Sequence, residues 1–219
     1  MNKQNLVYSV RSNDETLIGA YLGIWTGDGT QYHDKGYTVK ICCHSKDKKM
    51  HDFFKFVLST LFGKITVRIV KENGNRTLLK FKSKFIFYFV LDYMSYHKNK
   101  THTVNLKKDV HTYSDNFLQG FILGLALTDG YLKKNFVFNT TSEGLANNVL
   151  DILRMQGFNP RIYIHDRRRY VWKNLHMIKL NRTESRKMLA ILDSTITRTG
   201  YSFCFKELKY GGDNGPAEI

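Results

Sequence analysis

One glycine-patterned apolar stretch occurs twice in this chain of 219 residues. The first copy runs Leu17-Ile18-Gly19-Ala20-Tyr21-Leu22-Gly23-Ile24-Trp25-Thr26-Gly27-Asp28-Gly29. The second runs Leu118-Gln119-Gly120-Phe121-Ile122-Leu123-Gly124-Leu125-Ala126-Leu127-Thr128-Asp129-Gly130. Gly19 and Gly120, Leu22 and Leu123, Gly23 and Gly124, Asp28 and Asp129, and Gly29 and Gly130 all stand 101 positions apart. Such matches in one register identify a duplication, so the chain must fold into two like halves. Within each copy, small residues at four-residue spacing bare one face of a helix, which lets two helix backbones approach closely. Glycine inside a helix costs about 1 kcal/mol relative to alanine, so these glycines require a packing reason. Glycine just past the last helical residue is the usual left-handed helix stop, which predicts Asp28 and Asp129 at helix C-termini. A carboxylate is the wrong charge for that end of the macrodipole. Two such helices paired along their glycine faces bring two carboxylates together, the outline of a divalent-metal site.

The nine residues Tyr21 to Gly29 and Ile122 to Gly130 resemble the paired signatures of the LAGLIDADG homing endonucleases. Both keep the central glycine and the closing Asp-Gly. They depart at the sixth position, where Thr26 and Leu127 replace the signature's first aspartate; the last acidic residue carries the chemistry in that family. The resemblance implies an α+β fold, a pseudo-two-fold duplicated αββαββα arrangement. Its two antiparallel four-stranded sheets form a DNA-binding saddle, with the motif helices packed at the centre. It also implies a monomer acting as a pseudo-dimer, encoded within an intron or intein. Such a protein makes a double-strand break in a long, imperfectly palindromic DNA target by metal-dependent phosphodiester hydrolysis. Mg²⁺ is the expected cofactor, Mn²⁺ a substitute, and Ca²⁺ an ion that supports binding without cleavage. The alternative is an intron-encoded RNA maturase on the same scaffold, with its own intron RNA as partner.

A net charge of +15 points independently to a polyanionic partner, since solubility alone needs a charge of only about 2–8. The apolar runs are shorter than the roughly 20 residues a membrane helix takes, and residues 1–15 are too polar for a secretory signal. Three cysteines, Cys42, Cys43 and Cys204, form neither a paired framework nor zinc spacing. The expected setting is intracellular, a prokaryotic cytoplasm or organelle matrix, with no membrane partner.

Periodicity divides the chain into a first repeat over 1–96, a linker over 97–113, a second repeat over 114–210 and a disordered tail over 211–219. Asn13 or Asp14 is the expected N-cap of the first motif helix. Tyr37–Cys43 reads as a strand, and Ser45 or Asp47 opens a helix to Phe62. Ile65–Val70 turns through Asn73-Gly74 into Leu78–Lys82, and Phe85–Tyr96 is an aromatic helix. The linker is basic and poor in Gly and Ser, which predicts a docked, semi-rigid segment. In the second half Tyr131–Asn139 reads as one strand and Ser142-Glu143 opens a helix to Gln156. Arg161–His165, Tyr170–Trp172 and His176–Leu180 read as strands. Thr183-Glu184 opens a helix reaching about Asp193.

Strand pairs with basic and aromatic side chains on one face suit a DNA major groove. The candidate DNA contacts in the first half are Gln31, His33, Lys35, Lys40, Arg68, Lys71, Arg76, Lys80 and Lys82. Those in the second are Lys133, Lys134, Asn139, Arg161, Tyr163, Arg167, Arg168, Arg169 and Lys173. The candidate metal set is Asp28 and Asp129 with Gly27 and Thr128 beside them. The resemblance also implies a basic or polar residue near the metals. Ser45, Lys46, Lys100, Lys133 and Lys134 all qualify by position, and Lys100 is favoured as the third catalytic residue.

Overall fold

The computed structural model describes residues 10–33, 36–44, 48–72, 74–167 and 173–210. The motif helices α1 (Glu15–Asp28) and α5 (Asp115–Thr128) pair at its centre. The first half continues with β1 (Gly29–His33), β2 (Tyr37–His44), α2 (Lys48–Phe62), β3 (Arg68–Lys71), β4 (Arg76–Lys82) and α3 (Lys84–Tyr93). A connection follows, made of β5 (Met94–Ser95), α4 (Lys100–Thr103) and β6 (Asn105–Leu106), with one 3-10 turn at Val110–Thr112. The second half adds β7 (Gly130–Leu132), β8 (Phe136–Thr140), α6 (Glu143–Met155), β9 (Arg161–His165), β10 (Leu175–Lys179), α7 (Arg182–Arg198) and α8 (Phe205–Tyr210). Two antiparallel four-stranded sheets result, in the orders β1-β2-β4-β3 and β7-β8-β10-β9. Their identical topology is the duplication seen in three dimensions.

Backbone contact explains the glycines. A Cβ on Gly19 would strike Phe117 O and come within 2.7 Å of Phe121 N; one on Gly124 would lie 2.5 Å from Ile24 N. One on Gly120 would strike Thr16 O. The bare faces therefore meet each other, and α1 is buried on all sides from Thr16 to Thr26. Asp14 caps α1 by accepting from the Thr16 and Leu17 amides, and Ser114 caps α5 by accepting from the Phe117 amide.

Gly29 and Gly130 correct the expectation of a left-handed stop. Gly29 has φ −85° and ψ 153°, ordinary extended backbone that begins β1, and neither glycine is among those with positive φ. Crowding demands glycine instead: a Cβ on Gly29 would lie 2.7 Å from Trp25 Cα, and one on Gly130 would lie 2.5 Å from Ala126 Cα. The chain thus passes straight from helix to strand, which fixes each aspartate at the junction.

Several boundaries differ from the sequence reading. Residues 131–139 form two strands around a turn at Lys133–Asn135, with Tyr131 opposite Val137. β3 starts at Arg68 rather than Ile65, and α3 ends at Tyr93, because Met94 and Ser95 pair with Leu106 and Asn105. α7 runs to Arg198, beyond Asp193. Ser45, Asp47, Tyr170–Trp172 and the tail at 211–219 lie outside the described residues.

The connection is docked by specific bonds to both halves. Lys107 N donates to Tyr93 O at 2.8 Å, and Leu106 N donates to Asn148 Oδ1 at 2.9 Å. Buried Ser142 donates to Val104 O at 2.6 Å while its Oγ caps α6 by accepting from Leu145 N at 3.3 Å. Ser142→Ala removes both contacts and orphans a carbonyl, so it is expected to cost about 1–2 kcal/mol. That corresponds to a melting point lower by roughly 2–8 °C for a chain of this size. An unchanged melting curve would mean the connection is not held there.

Candidate functional site

The paired helices bring Asp28 and Asp129 to the same end of the α1–α5 pair. A Cβ built on Gly27 would run into the Thr128 side chain and lie 3.2 Å from Asp129 Oδ2. The Asp129 carboxylate therefore rests against the residue that precedes Asp28. Asp28 is half-buried. Asp129 is open to solvent on one side, yet the surrounding chain removes enough water to push its carboxyl above the usual range, with Lys100 and Lys209 opposing the shift. A desolvated carboxylate lacking full compensation favours a cation beside it.

Each helix end is held by a lysine. Lys100 Nζ donates to Trp25 O at 2.9 Å and Thr26 O at 2.7 Å and lies 4.8 Å from the centre of the Trp25 ring. Lys209 Nζ donates to Leu127 O and Thr128 O, both at 2.7 Å. Cations at helix C-termini satisfy orphan carbonyls and complement the dipole. Burial pulls the Lys100 ammonium down to about 8, against the attraction of Asp129 and Asp28. Lys100 stands in α4, fixed by the β5–β6 pair on either side and by His102 Nδ1, which lies 2.6 Å from Thr141 Oγ1. Lys209 escaped the sequence reading because α8 is a six-residue helix with no motif. The only signal was positional: in each half the lysine lies beyond the last long helix.

No cluster of three His, Cys, Asp or Glu exists among the described residues, which does not suit zinc. A pair of carboxylates does suit Mg²⁺, which binds through one or two carboxylates, several waters and substrate phosphates. Thr128 fits the metal set less well than expected. Its Oγ1 donates back to Gly124 O at 3.0 Å, and its carbonyl already accepts from Lys209, so a cation would share it. Gly27 serves close packing against Thr128. A cleft of about 260 Å³ opens beside Asp28, bounded by Cys42, His44, Arg76, Thr128 and Lys209. The Arg76 Nε and Nη2 atoms each donate to Cys42 Sγ at 3.4 Å.

Strand register sorts the candidate DNA contacts. Thr30, Lys40, Lys80 and Arg68 are successive cross-strand partners and form one row across the first sheet. Arg76, opposite His44, and Lys82, opposite Thr38, share that face. In the second sheet Tyr131, Val137, Lys179 and Arg161 form one row, and Asn139, Met177 and Tyr163 the next. Period-two alternation puts these residues opposite the buried Val39, Ile41, Phe138 and Ile178, hence on the face turned away from the helices. Lys179 and Tyr131 were not among the expected contacts, although alternation in their strands marks them.

Other candidates lie elsewhere. Gln31 has the inward parity: its Nε2 donates to Phe87 O and Tyr96 Oη, each at 3.1 Å, which ties it to α3 and to Tyr96 just after β5 rather than to the open face. His33 stacks on Tyr37 at 4.3 Å at the end of the sheet. Lys71 is exposed on β3 with the parity opposite to Arg68. Lys133, Lys134 and Lys173 are exposed in loops, and Arg167 is half-buried after β9. Lys35, Lys46, Arg168 and Arg169 lie outside the described residues. Cys43 is buried and Cys204 exposed. Among the described residues no helix is long and apolar enough to cross a membrane.

Residues 116–209 match the family described as a LAGLIDADG-like domain. No curated protein matches the sequence. Among solved structures, mesophilic variants of the homing endonuclease I-DmoI are 20% identical with a TM-score of 0.64, over 84% of this chain and 98% of theirs. I-DmoI in complex with DNA and Ca is likewise 20% identical with a TM-score of 0.64, over 83% of this chain and 92% of that one. Full-length WhiA from Thermatoga maritima is 15% identical with a TM-score of 0.57, over 93% of this chain and 61% of its own. At these identities the structural likeness establishes the shared fold.

Proposed function

We propose, from a chain in which residues 116–209 match a LAGLIDADG-like domain and 84% of which shares the duplicated fold of I-DmoI variants, that the protein is a site-specific DNA endonuclease. It makes a double-strand break in a long, imperfectly palindromic target, as a homing endonuclease acting as a monomer. The single observation that carries this reading is the arrangement of Asp28 and Asp129 at adjacent helix ends, with Lys100 and Lys209 beside them. I-DmoI has been crystallised with its target DNA and with calcium, manganese or magnesium, and the same partners are proposed for this chain. Mn²⁺ substitutes for Mg²⁺, while Ca²⁺ supports binding alone. Two non-identical halves imply two non-identical half-sites, since protein symmetry is mirrored in the site.

Each chain element has a defined task. Asp28 and Asp129 would hold the cations, and a divalent ion bound there would supply an acidified water and positive charge for the leaving oxygen. Lys100 and Lys209, fixed on helix carbonyls, supply positive charge where the phosphate gains negative charge. The basic face of the first sheet and the mixed face of the second grip the duplex on either side. Phosphate contacts by these lysines and arginines set the position, and fewer side chains read bases.

Lys209→Met tests the catalytic arrangement at a residue that no motif marks. Cutting should fall about 10²-fold, with affinity for the target in Ca²⁺ changed less than about threefold. An unchanged rate would exclude Lys209 from the chemistry. Grip on the backbone is tested by salt. Replacing the exposed loop lysines Lys133, Lys134 and Lys173 together by Met should flatten the slope of log affinity against log salt by about 2–3. An unchanged slope would place the DNA backbone away from these loops.

A further inference from the structure

We propose that the two sheets read half-sites of opposite base character, a guanine-rich half under the first sheet and an A·T-rich half under the second. This narrows the substrate of the proposed endonuclease and rests on that reading. Strand pairing allows the sheets to be superposed residue by residue: Gly29 opposite Ile41 in one matches Gly130 opposite Phe138 in the other. Ile41 opposite Leu79 matches Phe138 opposite Ile178. On that alignment, outward positions on the central strands differ in kind. Lys40 corresponds to Val137, Cys42 to Asn139 and Arg76 to Leu175, whereas Leu78 and Met177 are both apolar, Lys80 matches Lys179 and, on the edge strands, Arg68 matches Arg161.

The chemistry of the two faces follows. Lys40 and Lys80 are direct cross-strand partners on the two central strands, with Arg68 next to Lys80 on β3. Lysine and arginine in the major groove pair with guanine O6 and N7. On the second sheet Lys179 and Arg161 keep the places of Lys80 and Arg68. Val137, however, stands in the place of Lys40 and Leu175 in that of Arg76, and Met177 is apolar like Leu78. Tyr131 and Tyr163, 49% and 43% exposed, flank them where the first sheet has Thr30 and Val70. Water-facing apolar groups at the centre of a DNA-binding face have one complementary feature in the groove, the thymine methyl. Asn139 lies between them, but its Oδ1 is enclosed by protein, so the reading of this half rests on the apolar and aromatic side chains.

The test is selection from a randomised duplex library bound by the full-length protein in Ca²⁺, eluted and sequenced, with Lys80→Met, Met177→Lys and the more exposed Tyr163→Arg in parallel. The expected result is one guanine-rich half and one A·T-rich half. Lys80→Met relaxes a guanine position in the first by about tenfold. Met177→Lys and Tyr163→Arg shift thymine or adenine positions toward guanine in the other half only. Halves of equal composition, or Met177→Lys acting on the guanine-rich half, overturn the assignment and leave the DNA reading intact. So does a uniform loss of affinity across sequences in Lys80→Met, which marks a phosphate contact. Failure to enrich any DNA sinks the endonuclease reading and this inference with it.

Discussion

Asp28→Asn and Asp129→Asn each reduce double-strand cutting by at least about 10³-fold, while both variants fold and bind target DNA in Ca²⁺. The amide keeps the carboxylate's shape and removes the charge that holds a cation. The two substitutions also separate catalysis from stability. Burial raises the Asp129 carboxyl above its ordinary range, so ionising it costs the folded state more than the unfolded one. That cost is absent below the unfolded carboxylate's pKa and is complete once pH exceeds the raised folded value. In metal-free buffer at neutral pH, Asp129→Asn should therefore melt at or above the wild-type temperature, and the difference should vanish on acidification. A variant that melts well below wild type at neutral pH would show that the carboxylate is structural, a partner of Lys100 and Lys209 more than a ligand.

Gly124→Ala is expected to destabilise the protein by more than about 3 kcal/mol, at the upper end for overpacking. Propensity alone favours alanine here by about 1 kcal/mol, so the sign depends on packing. The added Cβ would lie 2.5 Å from Ile24 N and 2.8 Å from Gly23 C, and it would strike Ala20 O. All three are helix backbone atoms, which cannot swing aside as a side chain can. The helices must separate, and the carboxylates at their ends separate with them, so cutting should fall even in the fraction that stays folded. Denaturant unfolding measures the first effect and cleavage of the target the second. A Gly124→Ala variant as stable as wild type would mean that α1 and α5 do not meet along this face.

Both effects trace to features readable in the sequence, though not always for the reason that made them visible. The glycine faces of α1 and α5 were legible because a four-residue repeat of Gly has few explanations besides close helix contact. Gly29 and Gly130 were recognised as junctions, but the chain needs them for clearance from Trp25 and Ala126 rather than for a left-handed turn. α7 outruns its expected end because Leu192 and Ile196 are fully buried. Thr195 Oγ1 bonds back to Ile191 O at 2.7 Å, so tertiary packing carries the helix through residues of modest propensity. Gln31 looked like a groove residue by composition, yet alternation along β1 turns it inward to Tyr96. The lysine pair was half visible. Lys100 came from resemblance, whereas Lys209 depends on a return of the chain to the end of α5 that no local pattern encodes.

Cleavage of the protein's own coding locus, joined without the intervening element, tests the central claim most directly. With Mg²⁺ the protein should cut both strands at one discrete position, and with Ca²⁺ it should bind that duplex without cutting. Tight binding to RNA with no cutting of the joined locus in Mg²⁺ or Mn²⁺ would contradict the account.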